Sequence, residues 1–529
     1  MNVLRRLVPL APIVLALACG SSGDDPGESG STDGESASVV PPGKADDYLS
    51  PTSREYRLWG EGQLDLDAEW SDKTAAEKLA HAEEMLGFKF KAYSHFIDVY
   101  VTDKSSHDAN GDYGGFSGLV RPTSLDSMIE PIDATSMSFT FLWELEMGGP
   151  QSLLSNLPLE TNASGEKVFK VKLPVLTESQ LKYGSYPKDF DANKYEGDLE
   201  EIEVAIDPED ESFDAFPEYN RLFEDGKLDV LILVGGDYNE ERYDLKAAEE
   251  IFKWLKQAGY QHPAEAYTDL KLDSPPFKSS IDANGKNVDI EITFYHPDIV
   301  PDGELNSLRD KIIDAYQTMD LVIYDGHAGQ DPSYSGVVYH YNPRHAISAD
   351  ELGQLALPEK YQLFVFNGCK TYSAYPEAVM KNGNKTTANL DIISTVNFSW
   401  LTMQPYTTSG FLNQLLAKSG GTHDPQTYVQ ILKQINQSSN WNVYYGVHGL
   451  DDNPHINPYT DVSTLCGACA TDSDCPGVGN RCIQFQWGKV CGAECTTNDG
   501  CPADYGCYEI AEGSQIVGNQ CLPKSFTCQ

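Results

Sequence analysis

Four short runs in the second half of the chain are almost wholly apolar: DVLILV (229–234), DLVIY (320–324), QLFVF (362–366) and DIISTV (391–396). None alternates with polar residues, which suits strands covered on both faces, as in a parallel sheet. A fifth run, NVDIEITFY (287–295), does alternate and predicts another strand. Between these runs the apolar spacing lengthens to three and four. Leu245, Ala248, Phe252 and Leu255 fall on one helical face with Gly259 as a stop, and Leu305, Leu308, Ile312 and Ala315 repeat the pattern. Leu412, Leu415 and Leu416 mark a third helix. Strand–helix–strand order with right-handed crossovers predicts an α/β domain over 226–462: a wound, mostly parallel sheet with helices on both faces.

The earlier part of the chain reads differently. A helical stretch begins at Lys73, and FKFKAY, FIDVYV, FSGLVR, MSFTFLWELEM and VFKVKLPV follow as β-type segments. They predict a β-rich domain over 50–205, with a sandwich as the expected architecture. Residues 206–225 form an acidic linker. Arg5 and Arg6 precede an apolar run, Leu7 to Ala18, that is too short to cross a bilayer, so 1–18 reads as a signal peptide. Residues 19–49, rich in Ser, Gly, Asp, Glu and Pro, read as a disordered tether. The formal charge of -42 argues against nucleic-acid partners and against direct contact with anionic membrane.

The chain has twelve cysteines. Ten of them crowd the C-terminal segment 463–529: Cys466, Cys469, Cys475, Cys482, Cys491, Cys495, Cys501, Cys507, Cys521 and Cys528. CATDSDCP (469–476) aligns with CTTNDGCP (495–502), which makes a tandem repeat. An even count in an exported chain predicts disulfides in place of a large core, with connectivity left open. Cys466 and Cys469 have zinc-ligand spacing, but no histidine is near and an oxidising compartment favours disulfides. DANGD (108–112) and DANGK (282–286) begin like calcium loops without completing the pattern, so calcium is a secondary expectation to turns. No His-Glu-x-x-His, Gly-x-Ser-x-Gly or phosphate-binding loop occurs.

In wound sheets, ligands bind beyond the carboxyl ends of the strands. LVIY runs into Asp325-Gly326-His327-Ala328-Gly329, and LFVF runs into Asn367-Gly368-Cys369. If the two strands are neighbours, His327 and Cys369 open into one cleft as base and nucleophile, with the thiol expected to be unpaired. A cysteine at a strand end also fits a small core hydrophobe.

This pattern resembles the caspase-like cysteine peptidases (clan CD), most of all the gingipain type. They share an apolar strand ending in His-Gly and a later one ending in the catalytic cysteine. Here the two residues are 42 apart in sequence, against roughly 50 in caspases, and Ala328 replaces the glycine. The resemblance implies a secreted or surface-anchored endopeptidase acting on polypeptides through a Cys369–His327 dyad and a thioester, without a cofactor. It implies an oxyanion hole from the N–H groups of Cys369 and of Ala328 or Gly329. Residues after the other strand ends, Gly235, Gly236, Asp237, Asn397, Ser399 and Trp400, are the expected pocket lining, with an acidic pocket for Arg or Lys. Residues 50–205 would be a propeptide, processed within 206–221. The run Ala16-Leu17-Ala18-Cys19-Gly20 resembles the lipobox of bacterial lipoproteins, which implies lipidation of Cys19 and anchoring at a bacterial surface or outer membrane. The rival reading is a non-catalytic binding or adhesion lipoprotein built on a degenerate peptidase domain. The P1 residue and the oligomeric state are not legible in the sequence.

Overall fold

The computed structural model describes residues 48–528 except 106–128, 133–135, 188–189, 210, 212, 329–335, 398, 403, 438–442, 456, 460–463, 496–500, 503–504 and 513–514. The expected signal peptide, Cys19, most of the tether, FSGLVR, DANGD and Gly329 lie outside the described residues. Among the described residues no helix is long and apolar enough to cross a membrane.

The first half contains β1 (Tyr48–Leu49), β2 (Ser53–Asp65), α1 (Ala75–Ser105), β3 (Ile129–Pro131), β4 (Ser138–Pro150), β5 (Glu160–Thr161), β6 (Lys167–Pro174) and β7 (Leu199–Pro208). Strands β2 to β7 form one antiparallel sheet in the order β3–β4–β2–β7–β6–β5. Helix α1 covers one face, burying Ala82, Met85, Leu86, Phe90, Tyr93 and Ile97 in a shared core with Phe141, Trp143, Phe169 and Val171. The expected sandwich is therefore corrected to a single sheet backed by a helix. FKFKAY and FIDVYV, predicted as strands, lie inside α1. Their local alternation is overridden by the three-and-four spacing that runs unbroken from Ala82 to Val101.

The second half adds β8 (Lys227–Val234), α2 (Tyr243–Gln257), β9 (Phe277–Ala283), β10 (Lys286–Tyr295), α3 (Leu305–Thr318), β11 (Leu321–Asp325), β12 (Gly336–His340), β13 (His345–Ser348), β14 (Gln362–Asn367) and β15 (Leu390–Thr395). Then come α4 (Gln404–Leu415), β16 (Lys418–Ser419), β17 (Thr422–His423), α5 (Tyr428–Gln437) and β18 (Tyr445–His448). One ten-stranded sheet runs β1–β18–β15–β14–β11–β8–β10–β9–β17–β16. Its centre, β15 through β10, is parallel, and β18 and β9 flank it antiparallel. All five predicted strands and all three predicted helices are present. Helices cover both faces: Gln362 Nε2 donates to Tyr316 O of α3 at 2.9 Å, while Asn367, on the opposite face, donates to Gln404 O of α4 at 3.4 Å. Residues 48–49, assigned to the tether, instead add a buried edge strand paired with β18.

DANGK is the β9–β10 turn. Asn284 and Gly285 both have positive φ, the conformation that a two-residue hairpin requires, and Asp282 Oδ1 accepts from Gly285 N at 2.7 Å.

The tail is held by five disulfides. Cys469–Cys482 and Cys475–Cys491 staple the first repeat, and Cys495–Cys507 and Cys501–Cys521 staple the second in the same first-to-third, second-to-fourth pattern. Cys466–Cys528 ties the two ends of the module together. Both cysteines with zinc spacing are thus engaged in separate bridges.

Candidate active site

Three neighbouring parallel strands, β8, β11 and β14, end at one level, because Asp325 pairs with Val234 on one side and Asn367 on the other. Beyond that level the chain turns out of each strand. Asp237 follows Val234 by three residues, and His327 and Cys369 each follow their paired position by two. Gly326 N donates to Asn367 O at 3.2 Å, and Gly235 N to Asp325 O at 2.7 Å, so the three strand-end loops are bonded to one another. A Cβ on Gly368 would stand 2.6 Å from Ala328 Cβ, which shows why a glycine precedes Cys369. The wound sheet thus brings the predicted pair onto adjacent loops.

His327 is buried, and its Nε2 lies 2.9 Å from Asp237 Oδ1. Tyr238 stacks on the imidazole with ring centroids 4.7 Å apart, and Tyr341 tilts against it at 5.4 Å. The Asp237 carboxylate also accepts from Asn239 N at 3.1 Å, Asn239 Nδ2 at 2.6 Å and Tyr243 N at 3.1 Å. Burial opposes its ionisation, yet the bonds from His327 and Asn239 outweigh that and hold its carboxyl below the usual carboxylate range. It is an ionised group that fixes the ring's orientation.

A brace lies behind Asp237. Its backbone N–H donates to Asp244 Oδ2 at 3.1 Å, and Asp244 is paired with Arg242 at 2.9 Å. Arg242 also reaches Asp298 at 2.7 Å and adopts a left-handed backbone, φ 48°, at the start of α2. The carboxylates nearest Asp237 therefore already hold this chain's own guanidinium.

Beneath the two loops lies a buried polar platform. Asn367 Nδ2 donates to Asp325 Oδ1 at 2.8 Å, and Asn367 Oδ1 accepts from Ser399 Oγ at 2.9 Å and Tyr445 OH at 2.7 Å. Gln404 Nε2 donates to Asn367 O at 2.8 Å. Burial pushes the Asp325 carboxyl up to about 7 against the bonds from Thr408 and Asn367. These groups lock the ends of β11 and β14 in register.

Cys369 is 2% exposed and packs against Leu401 and Tyr243. Its Sγ accepts from Ser399 N at 3.4 Å. It is disulfide-bonded rather than a free thiol. The expectation of an unpaired thiol is corrected: in an oxidising setting, a sulfur at a loop junction can be cross-linked like those of the tail.

The expected pocket residues do not line an open pocket. Cβ atoms on Gly235 or Gly236 would meet the backbone of β12 and of His340–Tyr341 at 2.6–2.7 Å, so these glycines admit the covering β12–β13 hairpin. Asn397 Oδ1 accepts from Tyr444 N at 2.9 Å, and Asn397, Ser399 and Trp400 are all buried. Asp237 bonds His327 rather than lining a pocket. The sequence reading missed that role, as it missed Asp325, Asn367 and Gln404. The available signal was a carboxylate or amide closing an otherwise apolar strand.

No protein-family model matches the chain, and no curated protein matches it. Among solved structures, one named "Structure of Protease" is similar over 56% of this chain and 61% of that chain, at 13% identity and a TM-score of 0.27. The chain thus spans less than two thirds of that structure's length. A likeness of that extent leaves the chemistry to be argued from the site itself.

Proposed function

We propose that the α/β domain is a cysteine endopeptidase, with Cys369 as nucleophile, His327 as base and acid, and Asp237 orienting the imidazole. The observation that supports this reading is that three consecutive parallel strands end in bonded loops that carry these three residues, with Asp237 on the imidazole. In this reading the imidazole, oriented by Asp237 at Nε2, takes the thiol proton. The thiolate then attacks the scissile carbonyl carbon, and the oxyanion is held by the N–H of Cys369 and of Ala328 or Gly329. The C–N bond breaks as His327 returns the proton to the leaving amine, and water hydrolyses the thioester to free acid and thiol.

The buried, cross-linked Cys369 makes the described state latent. A thiol reductant that takes up the bridge as its own disulfide would release Cys369 as a thiol. Residues 50–205 help to hold the loop closed in this reading: Tyr372, three residues after Cys369, lies in their core and donates to Glu55. Cleavage in 206–221, where Phe213 is half exposed, would make that domain a propeptide. The first nineteen residues and the tail's disulfides support an exported protein, secreted or surface-anchored; metabolic labelling with palmitate tests a Cys19 anchor, and lipid on that sulfur would exclude it from any disulfide.

The test is proteolysis of a peptide library by the reduced full chain. Cleavage lost in Cys369→Ala supports the reading, and cleavage unchanged in that variant removes the thiol from the mechanism. A second reading, a non-catalytic surface binding protein, is favoured by the same burial and cross-link. It wins if reduced, processed wild type cleaves nothing and Cys369 resists iodoacetamide below pH 8.

A further inference from the structure

We propose that the N-terminal domain binds an extended, lysine- or arginine-bearing polypeptide by strand addition between β2 and β7. β2 pairs with β4 along its whole length, Ser53–Asp65, but with β7 only over Tyr56–Trp59. β7 in turn pairs with β6 over Leu199–Ala205. Beyond Gly60, where a Cβ would still stand 2.6 Å from Glu203 O, residues 61–65 and 199–202 present strand edges that do not pair with each other inside the sheet. Cavities of about 670 and 410 Å³ lie along this splay, sharing Glu61, Glu201 and Ile202 in their walls. Facing rows of unpaired N–H and C=O groups are what an added strand satisfies.

The chemistry of the two sides says which strand fits. On the outer side, Glu61, Asp65, Glu201 and Glu203 are turned to solvent. Arg57 pairs with Glu144, and Lys170 and Lys172 make long ion pairs to Glu201 at 3.9 and 3.8 Å; among the described residues, Glu61, Asp65 and Glu203 form no ion pair. On the inner side the floor is Leu64, Ile202 and α1, where Lys89 is paired with Glu200 at 2.5 Å. The buried Tyr93 hydroxyl lines the smaller cavity beside Gly62, 2.6 Å from where a Cβ on that glycine would stand. Side chains of an inserted strand alternate between the two sides. Cationic residues would meet the outer carboxylates, and aliphatic ones would cover Leu64, Ile202 and Tyr93. This binding is independent of the peptidase reading and does not involve Cys369.

The experiment is fluorescence anisotropy of a labelled peptide of alternating Lys and Val with the full chain carrying Cys369→Ala, which excludes cleavage. Saturable binding is expected, absent for the alternating Glu–Val peptide. It should weaken at least about tenfold for Glu201→Lys with Glu203→Lys, and similarly for a peptide N-methylated at every second amide, which cannot complete the ladder. Both glutamates are exposed, so an unchanged melting curve shows that the double variant is folded. Equal affinity for the N-methylated peptide would reduce the interaction to charge alone and overturn strand addition. Unchanged affinity in the double variant would place binding elsewhere.

Discussion

Asp237→Asn isolates the group that orients His327. The carboxylate accepts four hydrogen bonds, from His327 Nε2, Asn239 N, Asn239 Nδ2 and Tyr243 N. An amide of the same shape offers one acceptor oxygen and turns an NH₂ toward the remaining donors. If the oxygen stays with the backbone amides, the imidazole meets a donor and must shift its proton or its ring. A hydrogen bond to a charged group contributes about 1.5–3 kcal/mol, which corresponds to about 10- to 160-fold in kcat/KM at 1.36 kcal/mol per tenfold. The assay is kcat/KM of the reduced, processed chain across pH 5–9, with the His327 ring nitrogens followed by NMR. Wild type keeps the orienting charge down to acid pH, because the Asp237 pKa lies below the usual range. That contribution is present above the unfolded carboxylate pKa and is lost as pH falls through the folded value. A variant within twofold of wild type, with an unaltered imidazole titration, would refute the orienting role.

The remaining predictions rest on other contacts. Asp325 has a carboxyl raised from 3.8 to about 7 by burial. Its stabilising share is therefore full below its unfolded pKa and is lost as pH rises toward 7, a difference of about 4 kcal/mol at 1.36 kcal/mol per unit. Urea midpoints at pH 5 and pH 8 should differ less in Asp325→Asn than in wild type, with Asp391, also raised to about 7 by burial, sustaining part of the difference; an unchanged difference would sink the assignment. Arg242→Gln leaves the fully buried Asp244 without its cation, and should destabilise by about 1–3 kcal/mol. Arg242→Lys should recover only part of that loss, since one ammonium does not reproduce the fork onto two carboxylates, and melting curves decide. Gly368→Ala places a Cβ 2.6 Å from Ala328 Cβ, forcing the two loops apart, so about 10²-fold of activity should be lost with little change in melting temperature.

How much of this was legible depended on the range of the interaction. The parallel strands were readable because wholly apolar runs such as DVLILV and QLFVF can be satisfied only between two covering layers. Helix α1 was half misread. FKFKAY and FIDVYV alternate locally, and only the face that packs on Phe141 and Trp143 decides between a period of two and one of 3.6. Asp237 was noticed for its place after a strand but assigned to the wrong task, because its partner lies 90 residues away in sequence. Gly235 and Gly236 were read as ligand-facing, whereas the β12–β13 hairpin covers them. Nothing local marks a glycine as serving a hairpin a hundred residues later.

The sequence by itself determined the class of the sheet, the reactive residue types after its strands and the stapled character of the tail. Each of these follows from periodicity, strand-end position or cysteine spacing, which are properties of neighbouring residues. Only the tertiary structure decided strand order, and with it that β8, β11 and β14 are adjacent, so that the loops carrying Asp237, His327 and Cys369 follow neighbouring strands. It also decided disulfide connectivity and the closure of the site by packing from distant segments. Such outcomes depend on which surfaces meet when the whole core is buried, and no window of the chain contains that information.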